Sequence, residues 1–420
     1  MRIIYVTASM PYGPAETFII DEIGELLLRH EVLIVPRSPG ALGKHAARLA
    51  PFTRSESLFS PKVLATAVGA FIRRPAQVAV AALRLMRTGS LRTALRNLAI
   101  LPKALWMTKV ASDWRADHIH CHWAGTTASM AFIASELSGV KWSMTTHRSD
   151  IVGNNLLRQK AKSTTMTRVI SRDGFDMLVA RGVDPDSKLR ILPMGVRIPC
   201  QPNFHVPRMP VVLCPADLLE VKGHRHLIEA WRIVRGRGIR AKLWLAGEGN
   251  LRRDLTKMVN CLRLADSVRF MGTVTHDELL GAYAAGKISA VVLASVDLGN
   301  GCHEGIPVAL VEAMSYAVPV IGTRTGGIPE LLVPGVGLLI PPEDPDAIAD
   351  AIESLLGDDA LSRKLGESGR NHIIRTRDVA AIVAELEACF ADAPPCLAAT
   401  TSRTTAENIG DLHPQAESCE

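Results

Sequence analysis

The chain has 420 residues, 47% hydrophobic and 21% charged, with eight scattered cysteines and no Cys-x-x-Cys pair. This balance excludes a disordered, collagenous or disulfide-stapled protein and predicts two or three globular domains in a reducing compartment. The formal net charge is +6, yet residues 37–115 carry 14 Lys/Arg against Glu56 and Asp113, so that stretch is +12 and the remainder −6. Aromatics make up 5% and no zinc motif is present, which argues against a nucleic-acid partner. The longest early apolar run, Val63 to Ile72, ends in Arg73 and Arg74. It is about half the ~20 residues of a membrane span. With no signal-peptide layout ahead of Arg2-Ile3-Ile4-Tyr5-Val6, a cytoplasmic protein is expected, or one peripheral on the cytosolic face of a membrane.

A strand near 2–7 leads through a loop containing Gly13 and Pro14 to a helix near 15–29, then to a strand at 31–35. Amphipathic helices follow, in which Val80, Leu83, Leu85, Met86, Leu91 and Leu95 alternate with Arg84, Arg87, Arg92 and Arg96. Such helices suit an anionic membrane surface, with Arg73, Arg74, Arg84, Arg87, Arg92 and Arg96 as contacts. Further strands are read at 119–123, 141–146 and 168–171, with an Ala-rich helix near 125–138. A proline-rich joint near 200–210 precedes strands at 211–215, 242–246, 268–271, 290–293, 318–322 and 337–340. Short apolar strands separated by helices predict an α/β protein with two doubly wound parallel sheets. From Ala393 the Pro/Ala/Thr-rich tail is expected to be disordered.

His118, His120 and His122 alternate and share one strand face. No carboxylate or cysteine set accompanies them in the sequence, so no metal site is expected. The densest chemical signal is Glu304-Gly305-Ile306-Pro307-Val308-Ala309-Leu310-Val311-Glu312. Pro307 suits the first turn of a helix. The helix start, with the N–H groups of Val308 and Ala309, suits a phosphate. Glu304 before the helix and Glu312 within it can both approach one ligand, because helical side chains lean toward the N-terminus.

This segment resembles retaining glycosyltransferases of the GT-B fold, family 4. Other pieces of the resemblance stand in the family's order: Lys222-Gly223-His224, Leu245-Ala246-Gly247-Glu248-Gly249, Val268-Arg269-Phe270-Met271-Gly272 and Gly326-Gly327-Ile328-Pro329-Glu330. It covers most of 205–390 and, more weakly, the first 200 residues. Glu16-Thr17-Phe18-Ile19 adds a likeness to enzymes that build bacterial surface polysaccharide such as colanic acid.

The resemblance implies two Rossmann-like domains facing across a cleft. They are an acceptor-side domain over 1–205, with a basic helical insertion at about 37–115, and a nucleotide-sugar domain over 206–375. A helix over 376–392 crosses back to the first domain, and 393–420 form the tail. Glu304 is implied at the donor sugar, Glu312 at the ribose, Lys222 at the diphosphate and His147 at the sugar or its phosphate. His147 and Glu304 are thus the catalytic candidates. Lys222, Gly247, Gly249, Gly305, Val308, Ala309, Glu312, Gly326 and Gly327 are the donor-binding ones. A UDP- or GDP-linked sugar, a saccharide acceptor carried on polyprenyl and metal-independent transfer are implied, since no Asp-x-Asp motif ends a strand. Asp217 stands where the family has an arginine, and His224 and Arg225 are candidate replacement cations. A sugar-nucleotide epimerase and a catalytically silent partner are the rival readings.

Overall fold

A computed structural model describes residues 1–12, 16–40, 44–186, 188–201, 207–299 and 301–391. The expectations for Gly13, Pro14 and the tail from Ala393 fall outside them.

Six strands form the first sheet: β1 (Arg2–Thr7), β2 (Glu31–Pro36), β3 (His118–His122), β4 (Lys141–Thr146), β5 (Met166–Val169) and β6 (Leu189–Ile191). All pairs are parallel, in the order β2-β1-β3-β4-β5-β6. The helices of this half are α1 (Ile20–Arg29), α2 (Pro61–Arg73), α3 (Pro75–Met86), α4 (Leu91–Asp113), α5 (Thr126–Ser138), α6 (Arg148–Gly153), α7 (Leu157–Ser163) and α8 (Arg172–Ala180). The central strands are buried on both faces, as parallel strands between two helical layers must be. Ile4, Val6, Ile119 and Cys121 face the layer of α2 to α5. Ile3 and Tyr5 face α1 and the last helix of the chain.

The second sheet holds β7 (Val211–Pro215), β8 (Lys242–Ala246), β9 (Val268–Gly272), β10 (Ala290–Leu293), β11 (Val320–Thr323) and β12 (Leu338–Ile340), again parallel, in the order β12-β11-β10-β7-β8-β9. Its helices are α9 (His224–Gly236), α10 (Arg252–Cys261), α11 (His276–Ala284), α12 (Val308–Ser315), α13 (Ile328–Leu331), α14 (Pro345–Gly357) and α15 (Asp359–Arg377). α16 (Val379–Phe390) then leaves this half. Ile382, Val383, Leu386 and Phe390 pack with Ile3, Tyr5 and Ile23 of the first, and Phe390 stacks on His118 with ring centroids 4.4 Å apart.

Chain order reverses at β1/β3 in the first sheet and at β7/β10 in the second. Crevices at the carboxyl ends of strands open at such switch points. The halves also touch through Glu330, whose carboxylate accepts the N–H groups of Arg172 and Asp173 at 2.8 and 2.9 Å, capping α8 from the opposite domain.

Several boundaries differ from the sequence reading. Glu16 is left-handed at φ 69°, and Thr17–Ile19 is a 3-10 turn, so the helix expected from residue 15 begins at Ile20. β5 starts two residues earlier than read, because Met166 and Thr167 are buried alongside Arg168. β6 escaped notice: it has three residues, and two of them are exposed.

The basic insertion forms α2 to α4. Phe71, Ile72, Val80, Leu83, Leu91 and Leu95 are exposed there, Leu91 to 78% and Ile72 to 72%. The expected apolar stripe is therefore split, since Leu85 is fully buried. Arg73, Arg74, Arg87, Arg92 and Arg96 are exposed, but Arg84 is tied to Glu136 of α5. Among the described residues no single helix is long and apolar enough to cross a membrane; α2 and α3 reach that length together but meet at a 114° bend.

Candidate active site

The carboxyl ends of β7 and β10 deliver Lys222 and Glu304. Lys222 closes a 3-10 turn, Glu220–Lys222, after β7. Glu304 lies in the loop after β10. Lys222 Nζ donates to Glu304 Oε2 at 2.5 Å, and the two side chains are 21% and 14% exposed. Ser295 Oγ donates to the same oxygen at 3.4 Å. The Glu304 loop is seated by Gly326 and Gly327. Gly326 has φ +52°, and a Cβ there would lie 1.8 Å from the Glu304 carbonyl oxygen; Gly327 N–H donates to that oxygen at 3.2 Å. A side chain at Gly326 would push the carboxylate loop off its bed.

Pro307 is the cap residue ahead of α12 rather than its first helical residue. The N–H groups of Val308 and Ala309 therefore have no partner within the helix. Gly305 has no atom within 4 Å of where its Cβ would stand, so the approach to the helix start is open. One turn on, Glu312 Oε1 accepts from His276 Nε2 at 2.8 Å. His276 begins α11, which is closed by a Thr275–Glu278 capping box. Burial works against charge on His276, but the hydrogen bond and charge of Glu312, with Asp21 and Asp277 beyond, raise its pKa. A cavity of about 440 Å³ opens there between the halves, lined by Asp21, Arg48 and Arg197 on one side and His276, Glu312 and Tyr316 on the other.

Gly247 and Gly249 permit a close approach within the protein itself. A Cβ at Gly247 (φ +156°) would lie 2.2 Å from the Ala216 carbonyl oxygen, and one at Gly249 2.4 Å from that of Leu218. The close approach they permit is to the chain's own backbone, along the loop that carries Asp217 toward Lys222. His224 does not replace the missing arginine. It is buried, its Nε2 rests 3.7 Å from Cys214 Sγ, and burial with Lys222 nearby pushes its pKa down to about 4, leaving it neutral. Asp217 and Arg225 are both exposed.

At the β1/β3 switch point stands a buried chain of hydrogen bonds. His147 Nε2 meets His122 Nε2 at 2.8 Å. His122 Nδ1 meets Tyr5 OH at 3.0 Å. Tyr5 OH donates to Glu22 Oε1 at 2.6 Å, and Arg168 Nη1 donates to Glu22 Oε2 at 2.6 Å. Burial pushes the Glu22 carboxyl up, but Arg168, His120 and the bonds from Tyr5 and Arg168 outweigh it and lower its pKa. Donor counting then fixes the tautomers. The Tyr5 proton goes to Glu22, so His122 donates from Nδ1 and accepts at Nε2, and His147 donates from Nε2. Burial, then Arg168, hold His147 down to about 3.

Glu22 also corrects the expectation that no carboxylate joins the histidines: it lies within 4.8 Å of ligand atoms of His120 and His122. Three ligands for a metal are thus assembled. The Glu22 oxygens are already bonded, however, and Arg168 supplies the cation.

Glu16 orders the loop after β1. Its carboxylate accepts the N–H groups of Ala8, Ser9 and Met10 at 2.9, 2.7 and 2.8 Å, and Trp123 Nε1–H at 2.5 Å. Trp123 in turn lies 4.5 Å from the His147 ring. Sequence reasoning missed His276, Trp123, Tyr5, Glu22 and Arg168. The one available signal was Arg168, a charge inside an apolar strand, which needs a buried partner.

Residues 201–372 match the family described as "Glycosyl transferases group 1". The chain is 26% identical over 373 residues to the amylovoran biosynthesis glycosyltransferase AmsK of Erwinia amylovora, covering 83% of this chain and 89% of that one. It is 28% identical over 283 residues to the GDP-mannose-dependent alpha-(1-6)-phosphatidylinositol monomannoside mannosyltransferase of Mycobacterium tuberculosis, covering 61% and 72%. The structure of Anabaena Alr3699/HepE in complex with UDP-glucose superimposes with a TM-score of 0.68 at 17% identity, covering 93% of this chain and all of that one. At that identity the likeness shows the shared two-domain GT-B architecture.

Proposed function

We propose that this chain, a glycosyltransferase carrying a group 1 domain over residues 201–372 and acting in polysaccharide or glycolipid biosynthesis, moves a sugar from a nucleoside diphosphate to a saccharide on a lipid carrier, with retention and without a metal. The observation that carries this reading is that Lys222 and Glu304 pair across the loops following β7 and β10, the two strands of the second sheet's switch point, with Glu312 one turn into the helix that follows Glu304.

The Lys222–Glu304 pair at the cleft rim can exchange partners. A donor diphosphate takes over the ammonium, and the released Glu304 carboxylate accepts sugar hydroxyls. Glu312, one turn into α12, accepts the ribose hydroxyl pair. The positive helix end and Lys222 stabilise the leaving phosphate as charge develops on it. In front-face transfer the bond from C1 to the phosphate oxygen breaks and a bond from C1 to the acceptor oxygen forms on the same side. The acceptor proton passes to the departing phosphate, so the protein supplies no nucleophile. His147 is assigned in this reading to the donor sugar, held in one tautomer by His122. UDP- or GDP-linked donors fit equally; the mycobacterial relative is named for GDP-mannose.

The exposed apolar residues of α2 to α4, with Arg73, Arg74, Arg87 and Arg92 beside them, support contact with an anionic membrane. Each basic residue near such a surface contributes about 1 kcal/mol. Arg84, paired with Glu136, contributes little to it.

A panel of UDP- and GDP-sugars, with nucleotide release measured with and without a polyprenyl-linked acceptor, tests the reaction. Acceptor-dependent release supports transfer; tight nucleotide binding with acceptor-independent turnover overturns it in favour of an epimerase. Sedimentation with phosphatidylglycerol vesicles tests the membrane contact, and equal binding to neutral vesicles removes the role of charge.

A further inference from the structure

A second cavity, of about 540 Å³, lies in the N-terminal half over the carboxyl ends of β2, β3 and β4, and none of the residues invoked above for the donor lines it. Arg37, from the end of β2, and Arg96, from α4, both face it. Among the described residues no carboxylate lies within ion-pairing distance of either guanidinium. Arg37 Nη1 donates to Thr126 Oγ1 at 2.6 Å, while its Nε is buried without a partner. Burial and then Arg96 lower the Arg37 pKa, with Glu16 offsetting them only in part, and like charges placed together against a cavity favour an anion. The 13-residue helix α5 begins at the same wall, with Gly125 as its cap and Thr126 as its first residue. Its positive end favours an anion too.

One acid, Asp150, also lines the cavity. Its Oδ2 accepts the His147 N–H at 3.1 Å, and burial, only partly offset by the backbone N–H groups of Ala124, His147 and Gly125 and by Lys160, raises its pKa.

The setting distinguishes a lipid-borne anion from a free one. Arg96 follows Leu95, which is 59% exposed, and Leu58, in the cavity wall, precedes Phe59, which is 58% exposed. The apolar surface of the basic insertion thus reaches the rim of the arginine pocket. Resting on the glycosyltransferase reading, we propose that Arg37 and Arg96 bind the phosphate or diphosphate of a lipid-linked acceptor, whose apolar chain leaves across α4. The anion fixes the acceptor at the first domain, as Lys222 fixes the donor at the second.

Calorimetry on the full chain, with the donor site saturated by UDP or GDP, tests this with three probes: farnesyl diphosphate, inorganic pyrophosphate and farnesol. Farnesyl diphosphate is expected to bind, pyrophosphate to bind more weakly and farnesol not at all. Arg96→Gln, on the surface, and Arg37→Gln should each weaken farnesyl diphosphate at least tenfold and leave nucleotide affinity unchanged. Unaltered binding in Arg96→Gln, or farnesol binding as well as its diphosphate, overturns the proposal. Pyrophosphate binding as tightly as farnesyl diphosphate overturns the lipid-linked assignment in favour of a soluble phosphate. Nucleotide binding without farnesyl diphosphate binding sinks this inference alone; loss of both sinks the parent reading.

Discussion

The two switch points of this molecule are built on opposite principles. At β1/β3 the polar groups from His147 through His122, Tyr5 and Glu22 to Arg168 are bonded to one another, and the Glu22–Arg168 pair is fully buried at its far end. At β7/β10 the pairs Lys222–Glu304 and His276–Glu312 sit at the rim, between 11% and 21% exposed. A buried network exchanges its partners only by disrupting the core, whereas a rim pair yields its partners to a ligand. The first half thus presents a fixed wall, and the second presents charges that can be reassigned.

The contrast breaks most severely at Arg168. Arg168→Met leaves Glu22 buried without its cation and should cost about 3–5 kcal/mol of stability, measured by urea unfolding. Lys222→Ala should leave unfolding nearly unchanged but lower kcat about 10²–10³-fold, the loss of about 2.7–4 kcal/mol of charge stabilisation. It should weaken nucleotide binding as well, because Glu304 then faces the diphosphate alone. Glu304→Ala should lower kcat without weakening the nucleotide, and wild-type turnover in that variant would refute its place at the sugar.

Glu312→Ala should weaken nucleotide diphosphate binding by roughly 1.5–3 kcal/mol, the range for charged hydrogen bonds, and return the His276 pKa toward 6.5 in a ring-proton titration. Unchanged affinity removes Glu312 from the ribose.

The smallest effect sharpens the comparison through pH. His120 and His147 have folded pKa values near 3 against 6.5 unfolded. Their contribution to stability is complete above about pH 6.5 and is lost as pH falls toward 3. His276 is raised above 6.5, so its contribution is complete below that value and is lost as pH climbs through the raised one. Hydrogen exchange followed over pH should therefore loosen β3 and β4 on acidification and the start of α11 on alkalinisation.

What could be read from the sequence divides along the same line. The strand alternation, the Glu304–Glu312 spacing and the glycine pairs are local patterns, and local patterns survive in one dimension. Glu22 and Arg168 are 146 residues apart, Glu312 and His276 36 apart, and Arg84 meets Glu136 across 52. No periodicity links such pairs; only the sheet order brings them together. Gly247 and Gly249 show the reverse case, in which a legible motif owes its glycines to backbone packing within the protein.

The return of α16 fixes an order of events during synthesis. Ile382, Val383, Leu386 and Phe390 complete a core begun by Ile3, Tyr5 and Ile23, so the half synthesised earlier is the last to be finished. Domains made early ordinarily fold as units while translation continues. Here the nascent N-terminal half must wait, with one face of its sheet unsealed, until the whole second domain has been made and residue 390 has emerged. A chain released before Val379 should therefore be lost to aggregation or proteolysis, and both domains reach the finished state together.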